Sequence, residues 1–218
     1  MIPSVLTTDP ARAPHRLVLA SASPRRRELL EKAGAGFLIL PSDADETADP
    51  AISASELVKL LSARKAEATA ALWEVLPENI LVLAADTVVE ASDGRILGKP
   101  EDEDDAKAML RSLSGTLHYV YSGFTLLWKG GVYTESVASG VRFRPLSPED
   151  IDGYIASGEP MGKAGSYAIQ GLGGAFVDAL EGDFTNVVGL PMPALEDAIR
   201  KIFGKTLADF TAPCAPNR

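Results

Sequence analysis

The chain of 218 residues has one cysteine, Cys214, and two histidines, His15 and His118. A single thiol excludes an intrachain disulfide and a thiolate metal cluster, and it fits a reducing compartment. Neither histidine has a spaced partner, so no zinc pattern exists; His118, in LSGTLH, reads as support for a turn or a sheet edge. Positive charge is also scarce. With 21 basic residues against 30 acidic ones the formal net charge is -9, which opposes non-specific attraction to nucleic acid. Any phosphate recognition must therefore come from locally placed cations. Apolar runs such as Ile80 to Ala85 fall far short of the roughly 18 to 20 residues needed to cross a bilayer, so no membrane span is expected. The first residues, MIPSVLTTDPARAP, lack the basic start and apolar run of a secretory signal, and a cytoplasmic setting is the expectation. GxxxxGK[ST], a GxGxxG after a strand and GxSxG are all absent, which removes the P-loop, the dinucleotide fingerprint and the nucleophile elbow. What remains is a composition of 46% hydrophobic and 23% charged residues without repeats, the signature of a folded domain.

The ends, residues 1–15 and 205–218, are rich in Pro, Ala and Thr and read as an N-terminal extension and a C-terminal tail around one domain at 16–204. Arg16 to Ala20 reads as a strand, followed by a helix with Ser23 at its cap, Pro24 at its first position and Gly34 as its stop. Phe37 to Leu40 is a second strand, ended by Pro41 and the acidic loop SDADETADP. Ser53 or Ser55 caps a long helix reaching toward Trp73, with Leu57, Leu60, Leu61 and Ala68 as its buried face. A strand ILVLAAD follows, then Val88 to Glu90 and a hairpin through Asp93 and Gly94 onto Arg95 to Leu97. A helix from Pro100 to about Leu113, a long hairpin from Thr116 to Arg144, a helix from Ser147, a Gly-rich segment and a final helix after Pro191 complete the chain. This alternation predicts an α/β fold with a twisted mixed sheet, flanking helices and a central cleft.

Three segments carry chemistry. Arg25, Arg26 and Arg27 occupy the first turn of a helix, where cations cost roughly 0.3 to 1 kcal/mol each against the helix dipole. An anion docked there reverses the sign, since free N–H groups, the hydroxyls of Ser21 and Ser23 and the guanidinium forks converge on phosphate oxygens. The plainer alternative is a solvated basic face with an Arg27–Glu31 pair. Asp86 ends an apolar strand and would emerge at the sheet edge, either as an active-site carboxylate or as a turn cap. Glu46, with Asp43 and Asp45, offers oxygen ligands to a hard cation. Lys99 follows the hairpin, and Lys65 lies among small residues that would let it line a pocket. The run Glu101 to Asp105 favours a helix N-terminus.

Taken in order, LASASPRRRELL, the DADE loop, ARKA, AADTVV, ILGKP, LSGTLHYVYSG, GKAGSYAIQG and NVVGLP resemble the Maf family of nucleoside triphosphate pyrophosphatases over roughly Arg16 to Phe203. The resemblance implies a fold like that of the inosine triphosphate pyrophosphatases, two lobes around a cleft, a homodimer and a divalent cation, Mg²⁺ or Mn²⁺. It implies hydrolysis of a nucleoside triphosphate to monophosphate and pyrophosphate; the acidic balance and the short apolar runs add the expectation of no nucleic-acid or membrane partner. The family's acidic catalytic position falls on Asp86, as proton acceptor or metal ligand beside Glu46, with Lys65 and Lys99 assisting. Its base-choice positions fall on Arg25, Thr87 and Gln170, the residue types of the dTTP/UTP subgroup, and substrate contacts extend to Ser21, Ser23, Arg26 and Lys163. Ser122, where the family more often has Thr, and Met161-Gly162 depart from the pattern and leave loop shape near the site open. A nucleotide sensor or partner-binding regulator of cell division, using the same cations without turnover, is the rival reading. A broad activity on modified nucleotides is a second.

Overall fold

A computed structural model describes residues 13–49 and 51–214. Its sheet is mixed and helix-flanked, as expected. Strands β1 (Arg16–Leu19), β2 (Phe37–Ile39) and the first part of β3 (Ile80–Glu90) run parallel. Strands β4 (Ile96–Leu97), β5 (Leu117–Trp128), β6 (Gly131–Phe143) and β7 (Val177–Glu181) add antiparallel pairs, in the spatial order β2-β1-β3-β5-β6-β7 with β4 also on β3.

Local signals place most helices. Helix α1 (Pro24–Lys32) has Ser23 as its cap, Pro24 at its start and no acid in its first turn. Helix α2 (Ala54–Ala70) is capped by Ser53; the Ser55 hydroxyl instead lies 2.7 Å from that of Ser136. Asp102 caps α3 (Glu103–Leu113), whose first turn holds Glu103, Asp104 and Asp105, the favourable end for acids. Ser147 and Asp150 form a capping box at α4 (Pro148–Ala156). Gly204, at φ +65°, ends α6 (Met192–Phe203).

Period-two alternation along β3 and β5 builds the cleft. Leu81, Leu83 and Ala85, with Phe124, Leu126 and Trp128, pack under α1 and α6. Farther along the same face, Val89 and Val120 pack under α3 and α4. Between these two apolar groups the face presents Thr87 and Ser122, which are registered neighbours. The opposite face is covered by α2, and Gly123 permits the close approach: a Cβ there would lie 2.6 Å from the Val58 carbonyl carbon.

Four expectations are corrected. The packed face of α2 is Ala54, Val58, Leu61, Ser62, Ala66 and Thr69, whereas Leu57, Leu60 and Ala68 are only half-buried, because the sheet contact at Gly123 sets the helix's rotation. His118 is no edge residue but is fully buried, edge-on to Phe143. Strand β7 and the short helix α5 (Phe184–Val188) were not anticipated; a half-exposed edge strand and a five-residue helix carry little periodicity. From 205 onward the tail is partly packed: Leu207 and Phe210 join the core, and the Leu17 N–H donates to the Thr211 carbonyl. Most of the N-terminal extension and residues 215–218 lie outside the described residues.

Candidate active site

The cleft opens where β3 has lost one neighbour. Pairing with β1 ends at Leu83, and pairing with β4 begins at Val89. Between them β3 is paired only on its β5 side, and the open edge carries Asp86 and Thr87. Asp86 therefore does not end its strand; it sits inside an 11-residue strand, exposed by the gap. Alternation sends Asp86 to the α2 face and Thr87 to the α1 face. Because the edge is open, both line one cleft of about 480 Å³.

Helix α2 brings Lys65 to this point. On the packed side of the helix, its ammonium contacts the Asp86 carboxylate and lies 2.7 Å from Glu46 Oε1. The Lys65 side chain keeps only 14% of its exposure, so the contact is largely desolvated. The hydrogen bond from Lys65 holds the Glu46 carboxyl below its usual range, aided by the charges of Lys99 and Arg26. Lys99 stands exposed on the rim. Asp43 and Asp45 remain exposed, with Asp45 accepting from the Thr47 N–H at 2.9 Å. Among the described residues no group of three or more His, Cys, Asp or Glu gathers around a metal-sized point.

The opening of α1 forms another wall. Arg26 donates through Nε to the Gly189 carbonyl at 2.9 Å, through Nη1 to Ser21 Oγ at 3.1 Å and through Nη2 to Thr87 Oγ1 at 3.1 Å. Ser23 Oγ caps the helix, and Ser21 Oγ also accepts from the Ser23 N–H. Both hydroxyls thus first shape the loop, with their own O–H groups left to donate. Arg27 points away and pairs with Glu31 at 2.7 Å, so the solvated-face reading holds for that arginine. Burial lowers the proton affinity of Arg25, Arg26 and Lys163, outweighing the nearby charges of Glu159, Asp86 and Glu46 that act the other way. Gln170 also lines the cleft, in the turn after Ala168.

The chain matches the family described as Maf-like protein over residues 16–202. It belongs to the Maf-like family. It is 45% identical over 187 residues to the dTTP/UTP pyrophosphatase of Pelotomaculum thermopropionicum, covering 85% of this chain and 95% of that protein. Against the dTTP/UTP pyrophosphatase of Hahella chejuensis it is 49% identical over 179 residues, covering 81% and 87%. The Bacillus cereus protein of that name is 47% identical over 180 residues, covering 83% and 92%.

All eleven residues singled out beforehand line the cleft of this Maf-like protein. Sequence reasoning missed others. The Ser42 hydroxyl, on the cleft wall, is buried without a hydrogen-bond partner. Its signal was available: Ser42 follows β2 much as Ser21 follows β1, and the two strands are parallel and adjacent. Ser122, noted from the sequence only as a departure from the family pattern, bridges Thr87, at 2.8 Å, to the Asn186 carbonyl, at 2.8 Å, a link invisible without the fold. Glu159 and Tyr154 also gave no local signal.

Proposed function

We propose that this Maf-like protein hydrolyses dTTP and UTP to the nucleoside monophosphate and pyrophosphate. The reading is carried by one observation: Arg25, Arg26, Lys65, Lys99 and Lys163 meet Glu46 and Asp86 in a single cleft of an otherwise acidic chain. A triphosphate brings about four negative charges, and fixed cations in a partly desolvated cleft bind it without reorganisation. The orphan N–H groups at the start of α1 add donors where its first turn has no acid.

Cleavage between the α and β phosphates needs a water in line with the departing pyrophosphate. Asp86 accepts the proton of that water, and Lys65 orients its carboxylate and balances the leaving group's charge. Thr87 acts through Arg26, since its hydroxyl is held by that guanidinium and by Ser122. Gln170 presents one donor and one acceptor face, the match for the imide edge of uracil or thymine.

The donor set suits a divalent cation. Glu46 and Asp86 both contact the Lys65 ammonium, which brings two carboxylates to one place in the cleft, and Mg²⁺ commonly takes one or two carboxylates and completes its shell with substrate phosphates. Glu46 and Asp86 would hold Mg²⁺ or Mn²⁺, which when bound supplies charge neutralisation and a more acidic water. The homodimer and the cytoplasmic setting belong to the same reading; among the described residues no helix is long and apolar enough to cross a membrane.

A regulator that only senses nucleotide is not favoured, because it needs the cations but not the Glu46–Lys65–Asp86 arrangement. The test is a panel of canonical and modified nucleoside triphosphates with Mg²⁺ or Mn²⁺, measuring pyrophosphate against orthophosphate. Pyrophosphate released preferentially from dTTP and UTP supports the reading. Orthophosphate release refutes the bond assignment, and binding without turnover refutes the enzyme.

A further inference from the structure

The Gly-rich segment after Lys163 is not a loose loop. Gln170 sits inside a turn closed by the Gly171 N–H donating to the Ala168 carbonyl at 3.1 Å. Both flanks of this turn are tied to the end of α4. Tyr154 Oη accepts from the Ala168 N–H at 3.1 Å and donates to Glu159 Oε1 at 2.8 Å. The Glu159 carboxylate then accepts from the Leu172 and Gly173 N–H groups, each at 3.1 Å. Charge-assisted bonds of this kind are about twice as strong as neutral ones, and this carboxylate makes three.

The glycines show how tightly the segment is drawn in. A Cβ on Gly171 would lie 2.4 Å from both Glu159 carboxylate oxygens, and one on Gly173 would lie 2.7 Å from Tyr154 Oη. Gly171 has φ -112°, outside the left-handed region, so space rather than a positive φ demands glycine there. Glu159 also faces the cleft's cations. Its backbone carbonyl accepts from the Lys163 ammonium, and its charge acts on Arg25.

We propose that Glu159, through Tyr154 and the amides of Leu172 and Gly173, is a positioning residue that sets the Gln170 turn and thereby base selection. The inference rests on the pyrimidine triphosphate reading above. Glu159 does not touch the reacting atoms; it holds the base-reading turn in register with Arg25 and Lys163. A displacement near 1 Å at such a contact costs up to about a hundredfold in efficiency.

The experiment compares the full chain with Glu159→Ala, Glu159→Gln and Gly171→Ala, the last leaving Glu159 in place but crowding its carboxylate. Steady-state kinetics on UTP and GTP are paired with hydrogen exchange at the Leu172 and Gly173 amides. In both alanine variants the UTP-over-GTP ratio of kcat/KM falls about tenfold or more, through KM for UTP with kcat kept, and those amides lose protection. Glu159→Gln, whose amide oxygen still accepts, retains most of the preference. An unchanged ratio, persistent amide protection, or an equal fall in kcat on both nucleotides overturns the proposal. A wild-type protein that releases no pyrophosphate overturns the functional reading alone; the ratio is then taken from UTP and GTP binding by calorimetry, and the same outcomes decide.

Discussion

Acidification from pH 7 to pH 5 is expected to destabilise the protein through one buried imidazole. His118 lies on β5 with no solvent exposure, its Nε2 3.0 Å from the Tyr167 hydroxyl and its ring edge-on to Phe143 at 4.8 Å. Burial pushes its pKa down from 6.5 to about 4, so the folded chain holds it neutral. In the unfolded chain it takes a proton near pH 6.5. The unfolded state therefore binds more protons throughout the window between these values, and stability falls as pH falls through it. The full difference of about 2.5 units is worth about 3 kcal/mol, of which about 2 kcal/mol is lost between pH 7 and pH 5. For a domain whose total stability is about 5 to 15 kcal/mol, that is readily measured. Carboxylates held below their usual range, such as Glu46 and Asp150, lose their contribution only below about pH 4.5, beneath this window. The other histidine, His15, is exposed. Urea titrations at pH 7, 6 and 5 on the wild type and His118→Phe isolate the effect. The variant leaves the Tyr167 hydroxyl without His118 and costs about 1 to 3 kcal/mol at pH 7, but its pH slope across the window is expected to vanish, so its deficit against the wild type shrinks by about 2 kcal/mol toward pH 5. An equal slope in both proteins refutes the assignment.

Three further outcomes follow from the cleft. Asp86→Asn is expected to lower kcat about a hundredfold or more while UTP affinity by calorimetry changes little; turnover near the wild-type rate removes Asp86 from the chemistry. Gly123→Ala places a Cβ 2.6 Å from the backbone of Val58, and α2 must shift with Lys65 on it. A loss of about 1 to 3 kcal/mol in denaturant titration, together with a lower kcat, is expected; unchanged stability refutes the close-contact argument. Gln170→Ala is expected to narrow the preference for UTP over GTP about tenfold with the triphosphate contacts intact, and a preserved preference rejects its role at the base.

The local chemistry of the chain was readable to a large extent. Caps at Ser23, Ser53 and Ser147 stand where side-chain hydroxyls precede apolar periodicity, because a cap is satisfied within four residues of itself; within the acidic run the cap Asp102 was not singled out, and α3 starts at Glu103 rather than at Pro100. The cationic opening of α1 was legible for the same reason: three arginines in a first turn are unfavourable unless an anion answers them. The rotation of α2 was not, since Leu57, Leu60 and Leu61 marked one face and only the bare backbone at Gly123 drew in the face that carries Lys65. Glu159 was equally silent, because its partners lie 5 to 14 residues away and are mostly backbone amides.

Sequence alone determined which groups exist and which turns and helix starts they favour, because those preferences are settled among near neighbours. That Asp86 faces Lys65, and that Thr87 beside it faces Arg26, was decided by tertiary structure. A strand's alternation separates adjacent residues to opposite faces, and only the gap between β1 and β4 lets both reach the same cleft.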